Sequence, residues 1–128
     1  IVGANGENIY PEEIESLINN FRHVVESLVV EQKGKLVALV HFNREELEQK
    51  LRDMTSGIVP KIDVKGIAHK VDESINELTA ELKQYINTRV NKSSKIQSLI
   101  PHSDPFKKTA TQKIKRYLYN IKNKTDKN

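Results

Sequence analysis

The stretch VVESLVVEQKGKLVALVHF, residues 24–42, decides the fold. Two runs rich in Val and Leu, Val24–Glu31 and Lys35–Phe42, flank Lys33–Gly34, and this pattern predicts a β-hairpin with a tight turn. In the second run Leu36, Ala38 and Val40 alternate with Val37, Leu39 and His41. A strand facing water on one side would show polar residues on that face. Here both faces are largely apolar, so the second strand is expected to be central and covered on each side.

Outward from the hairpin, the flanking segments read as helices. Pro11 suits a first helical turn, and Glu12, Glu13 and Glu15 complement its dipole. Ile14, Leu17 and Ile18 then form the buried face of a helix ending near Asn19–Asn20. Ahead of it, Ile1–Val2 and Asn8–Tyr10 are two short β-like pieces around a glycine turn at Gly3 and Gly6. After the hairpin, Asn43 caps a short helix, with Glu46 completing a capping box and Leu47 and Leu51 facing inward.

Residues 55–70 mix Gly, Pro and isolated apolar residues and are predicted to be an irregular connection. Val71–Val90 is the strongest helix, with Val71, Ile75, Leu78, Leu82, Tyr85, Ile86 and Arg89 at steps of three and four. Lys95–Ile100 reads as a strand and PHSDPF as a turn. A last helix is predicted from about Gln112 to Lys122, with Ile114, Leu118 and Ile121 inward, followed by a frayed tail at 123–128. The order predicts a single α+β domain over residues 1–128, with a small mainly antiparallel sheet flanked by helices.

Bulk properties narrow the chemistry. The 128 residues suit one modest core, and 37% hydrophobic with 30% charged residues is ordinary for a globular chain. With no cysteine, disulfides and thiolate metal sites are excluded. No apolar run approaches the roughly 18 residues of a membrane span. The start, IVGANGENIY, lacks both an initiator Met and the pattern of a signal peptide, so a piece of a longer chain is expected.

Charge is uneven. Residues 1–60 carry six Lys/Arg against ten Asp/Glu, a net of −4, and residues 61–128 carry fifteen against seven, a net of +8. Such a basic half predicts an anionic partner without naming it.

Searches for a self-sufficient active site come back mostly empty. His23, His41, His69 and His102 lack metal-ligand spacing, and neither a zinc-protease helix motif nor a Walker-type loop is present. His41 reads as a packed or edge histidine and not a ligand. Glu12 and Glu13 are adjacent on a helix, point apart, and serve the helix dipole. Two segments remain. GANGENIYPEEIE sets glycines in a tight loop before a helix, where backbone amides can approach a ligand. KKTATQKIKR, residues 107–116, sets Lys113 after a Thr-x-Thr turn, with Thr111 as the expected N-cap. A lysine in that first turn meets an electropositive helix end, which locally disfavours it.

Together, N-I-Y-P-E-E-I-E (8–15) and K-T-A-T-Q-K-I-K-R (108–116), with a Val-rich hairpin between them, resemble the C-terminal domain of the adenylate-forming acyl-CoA synthetases. The family patterns are ENIYPxEIE after a glycine loop and PKTxTGKIxR. The long helical insertion and the K-I-K-R-Y-L-Y ending look most like the bacterial long-chain fatty acid-CoA ligases.

The resemblance implies that Lys113 is the catalytic lysine of adenylation. It implies that Gly6, Glu7 and Asn8 form the loop that lines the CoA pantetheine tunnel, and that Thr109 and Thr111 hold the lysine's turn. Gln112 stands where many members have Gly, and Gln favours ordinary dihedrals. The resemblance further implies a mobile domain, inactive alone and binding no cofactor itself. Its partner would be its own N-terminal adenylation domain, which supplies the ATP and acyl sites. ATP, Mg2+, CoA and a fatty acid would serve the full enzyme, in the cytoplasm, with peripheral contact open at the inner face of the membrane.

Two other readings compete. One is a basic nucleic-acid-binding domain contacting phosphates through Lys107, Lys108, Lys113, Lys115, Arg116 and Lys122; an aromatic content of 5% and no nucleic-acid motif speak against it. The other is the equivalent domain of an enzyme that passes its acyl group to a carrier protein.

Overall fold

The computed structural model describes residues 9–55 and 64–119. The Gly3/Gly6 turn with Ile1–Val2 and Asn8, part of the 55–70 connection, and the 123–128 tail lie outside the described residues.

Strands β1 (Val24–Gln32) and β2 (Lys35–Phe42) form the hairpin, antiparallel, with Gln32 opposite Lys35 across the turn. Lys33 and Gly34 carry φ of 52° and 77°, both positive, as a two-residue type I′ turn requires. Strand β3 (Ile96–Pro101) joins the other edge of β2 in parallel, giving the order β1-β2-β3 with β2 central. The α+β class and the hairpin thus match expectation, but the sheet is mixed. The parallel pairing follows from the connection, because β2 returns to β3 through helices and not through a turn.

Helices α1 (Pro11–Asn19), α2 (Arg44–Thr55) and α3 (Val64–Asn87) belong to one side. α1 packs on β1, α3 on β3, and α2 on α3. Ile14 and Ile18 from α1, Leu47 from α2, and Val71, Ile75, Leu78, Leu82 and Ile86 from α3 enclose Leu36, Ala38, Val40 and Phe42 of β2. Fully burying one such aliphatic side chain contributes about 1.5–3 kcal/mol. Tyr10 is extended (φ −107°, ψ 99°) and leads into α1 rather than into a strand.

α3 begins earlier than the sequence suggests. Residues 64–70 are its first two turns, not irregular connection, and Ile67 is buried in the same core. Its spacing continues the stripe: Ile67, Val71, Ile75, Leu78 and Leu82 step by three and four. Packing outweighs the cost of Gly66 inside the helix. At α2, Asn43 Oδ1 accepts the Glu46 N–H at 3.0 Å, which is half of the expected capping box. The Glu46 carboxylate instead pairs with His23 Nδ1, and the Asn43 N–H donates to the His23 carbonyl at 2.7 Å.

The second face of the sheet, Leu28, Val37 and Leu39, is covered by Phe106, with Ile114 and Tyr119 alongside. β2 is therefore covered on both sides, once by helices and once by the C-terminal segment.

Candidate functional site: a lysine hairpin on the second sheet face

The C-terminal segment is not the expected helix. Lys108 and Ile114 form an isolated antiparallel bridge, and the Lys115 N–H donates to the Lys107 carbonyl at 2.8 Å. The Thr109 N–H donates to the Lys113 carbonyl at 2.8 Å, and the Gln112 N–H to the Thr109 carbonyl at 2.9 Å. Residues 107–115 are thus a small hairpin with Thr109–Gln112 as its tip. Among the described residues of this segment, helical structure is limited to a short 3-10 turn at Arg116–Tyr119, and Ile121 and Lys122 lie outside the described residues. The reason lies in the sheet. The apolar face of Leu28, Val37 and Leu39 draws in Phe106, Ile114 and Tyr119, whereas Leu118, expected inward, is exposed.

Thr111 therefore caps no helix, and Lys113 does not sit in a first helical turn. Lys113 follows the tip. Its N–H donates to Thr109 Oγ1 at 3.2 Å, and the Thr109 and Thr111 hydroxyls stand 3.0 Å apart. Gln112 takes the conformation its residue type disfavours, with φ of 68°. The turn demands a positive φ there, the demand that glycine would meet freely.

The Lys113 side chain is exposed, and among the described residues no carboxylate lies within ion-pair distance of its ammonium. Its neighbours differ. Lys108 Nζ lies 2.6 Å from Glu26 Oε1 and 3.2 Å from the Phe106 carbonyl. Arg116 grips Glu15 through two bonds, Nη1 to Oε2 at 2.9 Å and Nη2 to Oε1 at 2.6 Å. Glu15 Oε2 also accepts the Val29 N–H, at 2.7 Å, from the edge of β1 opposite β2. The hydrogen bond to Glu15 holds the Arg116 guanidinium above its ordinary range, against the opposing effect of its burial.

Sequence reading missed the Glu15–Arg116 pair and took Glu15 for a dipole-complementing residue. A signal existed. Glu15 sits three residues before Ile18 and beside Ile14, on the inward side of α1, and a buried carboxylate needs a partner.

Gly6, Glu7 and Asn8 lie outside the described residues. The chain emerges from them at Ile9, which is buried, and enters α1 at Pro11. His41 is a packed residue, its Nδ1 2.9 Å from the His102 carbonyl. Among the described residues, no three or more His, Asp or Glu gather where they could hold a metal ion, and no helix is long and apolar enough to cross a membrane.

No known family model matches the chain, and no curated protein matches it in sequence. Solved structures do. A benzoate CoA ligase from Burkholderia xenovorans is 23% identical, with a TM-score of 0.57 over 89% of this chain and 19% of its own. A fatty acyl CoA synthetase from Mycobacterium tuberculosis is 20% identical, with a TM-score of 0.58 over 98% of this chain and 20% of its own. ATP-bound MatB from Rhodopseudomonas palustris is 20% identical, with a TM-score of 0.59 over 94% of this chain and 19% of its own. At these identities the likeness is one of fold. The chain spans about a fifth of the length of each, so it is similar to a domain-sized part of these larger proteins.

Proposed function

We propose that the chain acts as the mobile C-terminal domain of an ATP-dependent ligase that joins long-chain fatty acids to CoA. In this reading Lys113 assists adenylation, and the Gly6–Glu7–Asn8 loop afterwards lines the thiol's path. The observation that carries it is the lysine hairpin: just after its tip stands an exposed ammonium with no carboxylate partner among the described residues, while Lys108 and Arg116 anchor the hairpin's base by ion pairs within the domain. The fold likeness to a benzoate CoA ligase, to a fatty acyl CoA synthetase and to ATP-bound MatB supports the setting. The long-chain assignment rests on the K-I-K-R-Y-L-Y ending and the helical insertion alone.

Two half-reactions follow. A carboxylate oxygen bonds to the α-phosphorus of ATP as the bond to pyrophosphate breaks. The thiol sulfur of CoA then bonds to the acyl carbon, the thiol proton leaves, and AMP departs. The first step brings two anions together, and a cation presented at that moment lowers its barrier. At about 4 Å and an effective dielectric near 20, an ammonium contributes roughly 4 kcal/mol. Realised mainly in the transition state, that is about a thousandfold in rate. The second step has no such need, so withdrawing Lys113 while the loop advances would serve both in turn. In this reading magnesium accompanies ATP.

The test uses the full-length enzyme. Lys113→Ala should lower acid-dependent exchange of pyrophosphate into ATP by about a thousandfold. Thioester formation from supplied acyl-adenylate and CoA should remain near the parent rate. An equal fall in both half-reactions would contradict the assigned role.

A further inference from the structure

The Lys113 hairpin owes little of its orientation to burial. Phe106 is buried before it, Ile114 is half-buried, and residues 109–113 are exposed. Polar contacts hold its base: Lys108 to Glu26, the Lys107 N–H to the Tyr119 hydroxyl at 2.8 Å, and the Arg116 fork on Glu15. The last is different in kind. Glu15 is 7% exposed and is itself immobilised, by its place on α1 and by the Val29 N–H. Arg116 directly follows Lys115, whose N–H closes the hairpin on Lys107. A planar guanidinium with two bonds to one carboxylate fixes direction as well as distance.

α1 is also the helix into which the Gly6–Glu7–Asn8 segment runs, with Tyr10 as its N-cap. One carboxylate thus joins α1 to the residue that follows the lysine hairpin. The contact spans 101 positions of sequence.

We infer that Glu15 and Arg116 are a positioning pair that locks the Lys113 hairpin to α1, so that the lysine keeps one direction relative to the helical core. This rests on the function proposed above and adds to it a mechanical link. A loose hairpin would present Lys113 in many directions, and a misplacement of about 1 Å can cost about a hundredfold in rate. Neither residue touches substrate in this scheme, and both act through geometry.

The experiment compares Arg116→Lys, Glu15→Gln and Lys113→Ala in the full-length enzyme. Arg116→Lys keeps the charge and loses the fork. Glu15→Gln keeps an acceptor for Val29 and loses the charge. For both, pyrophosphate exchange should fall about 10- to 100-fold in kcat with little change in KM for ATP. Thioester formation from supplied adenylate should stay near the parent rate, as for Lys113→Ala. Hydrogen exchange should accelerate at the Thr109 and Lys115 amides while β2 stays protected, a pattern that global unfolding would not give. Should Glu15→Gln fail to fold, Arg116→Lys alone decides. The pair is merely structural if Arg116→Lys exchanges pyrophosphate at the parent rate while Lys113→Ala is dead. If Lys113→Ala itself keeps full exchange, the function proposed above fails, whatever the pair does.

Discussion

The side chain of Asn87 brackets the backbone of Ile96, its Oδ1 accepting the Ile96 N–H at 2.8 Å and its Nδ2 donating to the Ile96 carbonyl at 2.9 Å. Asn87 is the last residue of α3 and Ile96 the first of β3, so one amide joins the longest helix to the parallel edge strand. The bracket sits where the ladder is irregular, since Leu36 pairs with Ile96 and the next residue, Val37, with Ser98. Asn87→Ala leaves a donor and an acceptor of the buried Ile96 unmatched and should cost about 2–3 kcal/mol. Asn87→Asp keeps the acceptor but sets a carboxylate against the carbonyl, and should be no better. Urea unfolding measures both; a parent-like midpoint for Asn87→Ala would show that the bracket does not hold β3.

The hairpin turn carries a removable cost. Lys33 occupies φ 52°, a region that asparagine and glycine enter more readily than lysine. Lys33→Asn should therefore raise stability by about 0.5–1 kcal/mol without altering the ladder. Gly34, at φ 77°, has nothing within 4 Å of where a Cβ would stand. Gly34→Ala should still destabilise, by about 1 kcal/mol, through backbone strain and not through a clash. Paired thermal melts of the two variants, moving in opposite directions, check this.

What the sequence made legible follows how local each cause is. The hairpin was plain because Val/Leu runs and a Lys-Gly turn are adjacent in the chain. The two-sided burial of β2 was plain because Val37 and Leu39 are as apolar as Ala38 and Val40. The start of α3 was hidden by Gly66 and by Pro60, read as breakers, although Ile67 already continues the stripe of Val71 and Ile75. The C-terminal helix failed for a non-local reason. Ile114, Leu118 and Ile121 have helical spacing, but an uncovered sheet face 70 residues upstream recruits Phe106 and Ile114 instead. The lysine hairpin is thus legible as a motif and not as a shape. The Glu15–Arg116 fork, across the whole domain, left only the trace of a carboxylate beside apolar neighbours.

Phe106 is the keystone of that second face. It is 3% exposed, stacks on His102 at 4.7 Å between ring centres, and meets Tyr119 edge-on at 5.0 Å. Its N–H donates to Glu26, the acid that also holds Lys108. Phe106→Ala should cost about 3–5 kcal/mol, whereas Phe106→Leu, which keeps much of the volume, should cost under about 1.5 kcal/mol. Because Tyr119 in turn accepts the Lys107 N–H, loosening should spread to the hairpin. Trypsin should then cut at Lys107, Lys108 and Lys113 well before it cuts within α3. Equal rates at both places would mean that Phe106 supports the whole fold and not this face in particular.

Gln112 separates the backbone's needs from the lysine's. Its φ of 68° is imposed by the turn that returns the Gln112 N–H to the Thr109 carbonyl. For a residue with a Cβ that conformation costs about 1–2 kcal/mol, and the extra freedom of an unfolded glycine offsets about 0.5–1 kcal/mol of the gain from removing it. Gln112→Gly should therefore stabilise the chain by up to about 1 kcal/mol, while Gln112→Val, branched at Cβ, should destabilise it by more than 1 kcal/mol. The effect on activity should run the other way from stability only if strain at this position helps Lys113 to move. In the function proposed above, with the hairpin held to Glu15 through Arg116, the glycine variant should keep Lys113 where it is and leave pyrophosphate exchange at or slightly above the parent rate. A marked loss of exchange in a better-folded Gln112→Gly enzyme would show that strain at this position helps Lys113 to move and that relieving it costs activity.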